Sequence, residues 1–531
     1  MSFTCLSRKT KPTVVEYSIC VTFVRLFRLR QAFIEYFSES QRKHNATMAE
    51  KGPRPSFGSR AMGVLREVTV EPFIFFCLMG NTIRGVSFQS LLMDRACRVK
   101  YTDDVCDNIE SYKDEQAQST IYGNNLYTGW TLMGSLPSLI VAIFIGPWAD
   151  KYSRKYPILI AVSGMFLEGL ASAMLTLFPH VTPWLFVVAA LFSGITGGLM
   201  VTMSSCLSYL SDITEPRSRP SRFARLEFCS ILAMILGGFL GGQLFRLYGY
   251  LPVMMLSPIS FAIAIAYAAI VIKDTKPKIE AGKRCEVIKD LFSLDNIKQS
   301  YQTFTKERPG NMRLQMWLLV WVSCAQSLAE MGLLAVGFPF VRIMYQWGVT
   351  AFSNANIVLT ISKALCTVVL VPIFSTKLML HEAAIGLIGV LAALCQFTLM
   401  SVAFYEYIFY LACIGGALAN TVGIGIKSRI SKLVHKDELG RTFSFLGMVE
   451  ALTPLFGTVL FLQIYNASVN FFPGLPFAIT AVILLPSAFI FLWMMSLPTV
   501  SQGTFGKDDE ETARINIKPG KNYEKLEDEK Y

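Results

Sequence analysis

The chain has 531 residues, of which 53% are apolar and only 16% charged, and its formal net charge is +11. A soluble protein of this length needs more charge to cover its surface; here the charge is gathered into short stretches between long apolar ones, the composition of a chain dissolved in lipid. The basic excess does not point to nucleic acid, because Lys and Arg lie between apolar stretches, where the positive-inside rule accounts for them.

Residues 1–67 form a basic extension with twelve Lys and Arg and no cleavable signal peptide in evidence. Its stretch CVTFVRLFRLRQAFIEYF reads either as a basic amphipathic helix on the inner leaflet or as an unstructured tail. Met48 is an alternative start, and the sequon at Asn45 is silent if it faces the cytosol. Twelve apolar stretches of about 20 residues follow, the length that crosses a bilayer as helix. They lie near 72–93, 126–147, 157–178, 184–208, 225–246, 252–272, 314–340, 353–375, 381–402, 406–426, 443–463 and 474–496. A central loop, 273–313, carries ten Lys and Arg and separates two groups of six, 68–272 and 314–496; a polar tail covers 497–531. The expected fold is an all-α membrane protein of twelve transmembrane helices in two six-helix halves.

Charge alternates between the connections. Lys151, Arg154 and Lys155, then Arg217, Arg219, Arg222 and Arg225, then the central loop, then Lys427, Arg429, Lys432, Lys436 and Arg441 share one side, while PHVTP and FPG carry almost nothing on the other. This places both termini in the cytosol. The long first outer loop then faces an oxidising compartment with Cys97 and Cys106, which are expected to pair. Asn466-Ala467-Ser468, in a short outer link, is a candidate glycosylation sequon. The remaining cysteines are scattered, there is no CxxC, and the four histidines fall outside or at the edges of the apolar stretches, so no metal site and no cofactor are expected. No phosphate-binding G-x-x-x-x-G-K-[ST] loop is present, so energy must come from an ion or solute gradient.

Between the second and third stretches the chain reads Gly146-Pro-Trp-Ala-Asp150-Lys-Tyr-Ser153-Arg154-Lys155. This resembles the major facilitator loop motif G-x-x-x-D-x-x-G-R-R/K. Gly146 allows close approach of a neighbouring helix. Asp150 can hold the N-terminal end of a facing helix. Arg154 can pair with an acid across the gap, with Asp212 the candidate. Together they would form a conformational latch. Ser153 replaces the motif's glycine, which would strain the turn if it needs φ > 0. The stretches VEPFIFF, GPWADKYSRKYPILI, SDITEPRSRPSRFARLE, GGQLFRLYGY, SRISKLV and NFFPGLPFAI, spread over residues 68–500, resemble solute carrier family 46. The resemblance implies an organic anion and protons as partners, and a plasma-membrane or lysosomal/endosomal location. Two departures bear on folate as the substrate: the seventh stretch has no histidine, and Lys427 stands where the family's folate transporter has arginine, so it lacks the bidentate fork.

Ionisable groups within membrane helices are functional candidates by default. These are Arg84, Glu168, Glu227, Glu330, Lys363 and Glu450, with Lys427 at the end of the tenth stretch. Arg84 and Lys363 can hold an anion, and Glu330, Lys427 and Glu450 are further substrate-binding candidates. For Glu168, on a helix the facilitator layout puts outside, a buried structural pair is the favoured reading; a structural pair competes with transport for every other residue. Glu227 falls on the fifth-helix glutamate that the resemblance marks for proton coupling. It also enters the membrane just past Arg222 and Arg225, where alternating access can switch it between water and a buried setting. The function expected is secondary transport of a small organic anion with protons, the alternative being a transporter-like receptor or scaffold.

Overall fold

The computed structural model describes residues 69–214, 219–274, 311–374, 380–434 and 439–497. They form twelve long helical segments: α1 Glu71–Lys100, α2 Lys113–Lys151, α3 Lys155–Thr176, α4 Trp184–Asp212, α5 Arg219–Tyr248, α6 Tyr250–Val271, α7 Met312–Tyr345, α8 Val349–Pro372, α9 Glu382–Ser401, α10 Glu406–Leu433, α11 Leu439–Ser468 and α12 Leu475–Met495. Nine of them are long and apolar enough to cross a membrane; α1, α2 and α11 are outside that group. Residues 1–68, the central loop from 275 to 310 and the tail from 498 lie outside the described residues.

Local chemistry sets several helix ends. Pro72 and Pro476 stand in the first turns of α1 and α12, where a missing N–H costs nothing. The Glu71 carboxylate accepts the amides of Thr69 (2.9 Å) and Val70 (3.1 Å) at the N-terminus of α1. His381 caps α9 by accepting the Ala383 amide at Nδ1 (3.2 Å). Side chains such as Ile270, Val482 and Phe489 are more than 60% exposed, as an apolar bilayer-facing surface requires.

The first apolar stretch is continued outward. Cys97 ends α1 close to a short helix, Asp103–Asp107, and is bonded to Cys106 across a Cα–Cα distance of 5.9 Å. Arg98 joins Asp94, Asp103 and Asp107 beside the disulfide. We call this end of the bundle the disulfide face and the opposite end, at residues 151–155, 212–214 and 433–434, the basic face.

Within the first half α1 packs on α5, α6 and α2, and α3 on α6 and α4; within the second, α7 packs on α11 and α12, and α9 on α12 and α10. The halves meet where α5 lies on α8 and α2 on α11. The doubled glycines of α5 explain how it serves both neighbours. A Cβ at Gly237 or Gly241 would press on the α1 backbone, at Met79 O (3.0 Å) and Ile83 O (3.1 Å). Gly242 faces Ser353 of α8, at 3.0 Å, from the other side.

The apolar cores show where the halves join. Towards the basic face the core of Phe73, Ile74, Ile158 and Phe261 belongs to the first half alone, and the core of Met316, Leu319, Ile430 and Phe491 to the second alone. Towards the disulfide face the core of Phe338, Phe340, Phe409 and Tyr465 takes in Met93, Val86, Ile121, Tyr127 and Phe245 from the first half. Among the described residues, the fold is sealed across its halves at the disulfide face and divided at the basic face.

Candidate functional site

Arg84 stands thirteen residues into α1 (84 − 71) and Glu168 thirteen residues into α3 (168 − 155), each about 20 Å along its helix at ~1.5 Å per residue. Both are buried, at 5% and 1% side-chain exposure, and Arg84 Nη1 lies 2.6 Å from Glu168 Oε1. That contact is ionic without hydrogen-bond alignment: Nη1 has no hydrogen-bond partner. Trp130 of α2 donates its indole N–H to the same carboxylate oxygen at 2.8 Å. The guanidinium carbon sits 5.8 Å from the Phe88 ring centroid and 5.4 Å from that of Trp130, within cation–π range. Tyr127 leans on Trp130, and Phe186 backs Phe88. A fixed cation thus sits at mid-depth in an aromatic wall, neutralised by one carboxylate from a helix behind it. Of the ionisable candidates within the membrane helices, the structure brings these two together.

The other candidates are dispersed. Glu330 accepts from Gln326 Nε2, one turn away on α7, at 3.2 Å, and Glu450 of α11 accepts from the Ser323 hydroxyl of α7. Lys363 on α8 is half-buried; Lys427 on α10 and Glu227 on α5 are exposed, as is Asn420. Asn466 lies within the last turn of α11 and not in a link, a correction to the sequence reading; helix 439–468 outlasts its apolar stretch because polar groups of α2 receive its end. The Asn466 amide accepts from Asn124 (2.9 Å) and donates to Asn125 (3.1 Å).

At the basic face Arg154 Nε donates to Asp212 Oδ2 at 2.9 Å, the pairing anticipated from the loop motif. Ser153 is not at positive φ, so its side chain imposes no backbone strain. Its hydroxyl instead donates to Asp274, whose other oxygen accepts the Arg154 amide at 3.1 Å. Lys155 Nζ donates to the Ala269 carbonyl (2.7 Å). The surroundings of Gly146 and the side chain of Asp150 lie outside the described set.

The second half has a counterpart with reversed charges. Arg429 near the end of α10 is fully buried and gives Nε and Nη2 to Gln315 Oε1 at 3.1 and 2.7 Å. Glu382, first residue of α9, lies 4.0 Å from Arg429 and is bonded to Lys432. Burial, with help from Arg429 and Lys432 and against Glu382, pushes His381 below the usual histidine range. Asp274, Gln315, His381 and Glu382 were absent from the sequence-derived site. The signal for Arg429 was present in SRISKLV, but a cytosolic loop is expected to be basic in any case.

The family model of the Major Facilitator Superfamily matches residues 116–458. The chain belongs to this superfamily. As a major facilitator it is a multi-pass membrane protein and a transporter, not an enzyme. Its curated relatives include solute carrier family 46 members. The Drosophila melanogaster "Probable peptidoglycan muropeptide transporter SLC46" is 23% identical, covering 82% of this chain and 88% of the relative. The Bos taurus proton-coupled folate transporter is 22% identical, over 79% of this chain and 90% of that one. The Homo sapiens lysosomal proton-coupled steroid conjugate and bile acid symporter SLC46A3 is 22% identical, over 82% and 96%. Among solved structures, the D-xylose-proton symporter superposes with a TM-score of 0.57 at 15% identity, and the human organic anion transporter MFSD10 with 0.53 at 14%; each covers 80% of this chain and 97% of its own. At that identity the likeness is one of fold. The facilitator's twelve segments, its α5–α8 and α2–α11 seam and its loop-motif ion pair therefore belong to one architecture.

Proposed function

We propose that this facilitator is a secondary active transporter of a small organic anion, coupled to protons, in which halves 68–272 and 314–496 rock about a mid-membrane site. The observation that carries the reading is Arg84: a buried cation at mid-depth, framed by aromatic rings and balanced by one carboxylate. Such a group is costly in a membrane and suits an anion path. The relatives named for folate, steroid conjugates and bile acids, all proton-coupled, favour the same class of cargo. On this reading the basic face is cytosolic, both termini with it, and the membrane is the plasma membrane or a lysosomal/endosomal one. Lys363, Lys427, Glu330 and Glu450 are the further residues proposed to meet substrate as the halves move, and Glu227, exposed on α5, carries the coupling proton.

The test is uptake into proteoliposomes of radiolabelled folate, taurocholate and muramyl dipeptide, with and without an imposed pH gradient. At least one anion should accumulate against its gradient when the outside is acidic. Glu227→Gln should abolish that accumulation while leaving exchange of labelled for unlabelled anion intact. Saturable binding without passage in every condition would make the protein a receptor. Uphill uptake of unchanged pH dependence in Glu227→Gln would remove Glu227 from the coupling role.

A further inference from the structure

We infer that Glu168 is an exchangeable internal counter-ion: it occupies Arg84 in place of the substrate's anionic group, and cedes it on taking up a proton. The inference rests on the transport reading above and adds to it the chemistry of the bound group, a carboxylate or sulfonate carried on an aromatic or alicyclic body.

Three observations meet at Arg84. First, its guanidinium has five N–H donors, yet among the described residues its one polar contact is Nη1 with Glu168 Oε1, out of hydrogen-bond alignment. A structural arginine at 4% exposure is expected to spend its donors, as Arg429 does on Gln315. Secondly, the flat faces beside the cation are Phe88 and Trp130, with Tyr127 continuing the wall, so an incoming anion meets π surface next to the charge. Thirdly, Glu168 is held by a group that does not require its charge: the Trp130 indole donates to a protonated carboxyl as well as to an ionised one, though more weakly. Glu168 can lose its cation without losing its seat.

The charge balance follows. In the resting state Arg84 and Glu168 neutralise each other. When an anion takes Arg84, Glu168 at 1% exposure would be left as an isolated buried carboxylate, a state proteins avoid by protonation. One anion and one proton therefore enter together, the proton going to a Glu168 oxygen, and both leave together when the pair re-forms. On this reading Glu227 is the entry point for that proton, and among the described residues no group on the elements packed against α3 competes with Glu168 for it. α4 and α6, which pack on α3, carry no Lys, Arg or Glu, and their single Asp, Asp212, is bound to Arg154 at the basic face. Their tyrosines and cysteine lie elsewhere: Tyr209 and Cys206 in the core towards the basic face with Tyr267 against it, Tyr250 bonded to Ser90. From α1 and α2 the titratable groups around this core are Arg84 itself, Tyr127 and Tyr122.

The test uses the full chain in detergent, with benzoate as probe and quenching of tryptophan emission as the readout of binding. Wild-type protein should bind benzoate about tenfold more tightly at a pH of about 5.5 than at about 7.5, because the proton is taken up on binding. Glu168→Gln, which keeps an acceptor for Trp130, should bind as tightly at the higher pH as wild type does at the lower, with the pH dependence gone. Arg84→Gln/Glu168→Gln, a neutral pair of similar volume, should fold and not bind. A purely structural Glu168 predicts the reverse: lower yield, and no tightening. Weaker binding in Glu168→Gln, retained pH dependence, binding by the double variant, or no binding of benzoate by wild type each overturns the inference. If the expected pattern holds while none of the anions is taken up by proteoliposomes, the transport reading alone fails.

Discussion

Ser153 shows how a departure from a motif is absorbed at the level of one residue. The pattern calls for glycine, and the sequence alone suggests strain, but the backbone there is ordinary and the hydroxyl has acquired a charged acceptor in Asp274. Asp274 in turn takes the Arg154 amide, so that the end of α6 is tied to the start of α3 while Arg154 reaches to Asp212 on α4. Hydrogen bonds to charged groups contribute roughly 1.5–3 kcal/mol. Ser153→Ala should therefore lower the thermal midpoint by a few degrees, and Ser153→Gly by at least as much, despite restoring the motif. Thermal unfolding of the purified variants decides it; a midpoint equal to or above wild type for either would show that the bond to Asp274 contributes nothing. The Arg154–Asp212 pair was readable because the loop motif names its basic member and an acid stands at the end of the fourth stretch. Arg84–Glu168 was not readable as a pair. Eighty-four positions separate the two (168 − 84), and no periodicity in one helix reports which helix lies beside it.

At the scale of the element, the breaks in α4 and α10 occupy the same place in each half. α4 turns at Gly197 and Gly198, both in the left-handed region (φ 89° and 47°), and the Gly194 carbonyl accepts both the Gly197 amide (3.2 Å) and the Ser138 hydroxyl of α2 (3.3 Å). α10 tightens into a 3-10 turn at Gly416–Leu418, against Gln396 of α9. Interrupted helices at matching positions are where transporters of this kind bend or expose backbone to cargo. The sequence showed the glycines but not the breaks: a Gly-Gly inside a long apolar run also serves tight packing, as in α5. The two uses separate on substitution. Gly197→Ala forces a side chain into left-handed backbone and onto Val201, and should cost on the order of 1–3 kcal/mol. Gly415→Ala, whose Cβ would rest 3.4 Å from Cys395 Sγ, should be within about 0.5 kcal/mol of wild type. Yield and thermal midpoint of the two variants check this. Equal tolerance at both positions would mean that the α4 break is not held by its backbone.

Across the whole molecule, the hydrogen bonds that join the halves among the described residues come from neutral groups. Gln89 reaches the Ala335 carbonyl of the other half (2.9 Å) and, within its own, Asn124 (3.4 Å); Gln116 exchanges amide bonds with Gln346; Asn124 and Asn125 meet Asn466, and Asn125 also meets Gln463. Ser353 and Thr350 add bonds to the α5 carbonyls of Gly238 and Gly242. Every one of these lies in the part of the bundle towards the disulfide face. The charged ties at the basic face, Arg154–Asp212 and Glu382 with Arg429 and Lys432, each stay within one half. The hydrogen bonds of this amide seam do not titrate; charge also acts across the halves at that face, where Asp94 of α1 attracts the buried Arg342 of α7. Little of this was visible in the sequence, where the polar residues of α2 ahead of position 126 read as loop. They are the continuation of a helix, polar because they face another half and not lipid. Asn124 is the joint most worth removing. It is fully buried and bonds Gln89 in its own half and Asn466 in the other; the one bond that crosses, at about 0.5–1.5 kcal/mol, shifts a two-state equilibrium by roughly two- to thirteenfold. Asn124→Ala should therefore raise the population open at the disulfide face. A reporter thiol at Tyr127→Cys, in a background that keeps only Cys97 and Cys106, should react with a membrane-impermeant maleimide slowly when Asn124 is present and about tenfold faster when it is alanine. If the protein reaches the plasma membrane with the basic face inside, that reaction proceeds in intact cells. An unchanged rate in Asn124→Ala would mean that the apolar core around Phe340 and Tyr465, and not the amide seam, holds the halves closed.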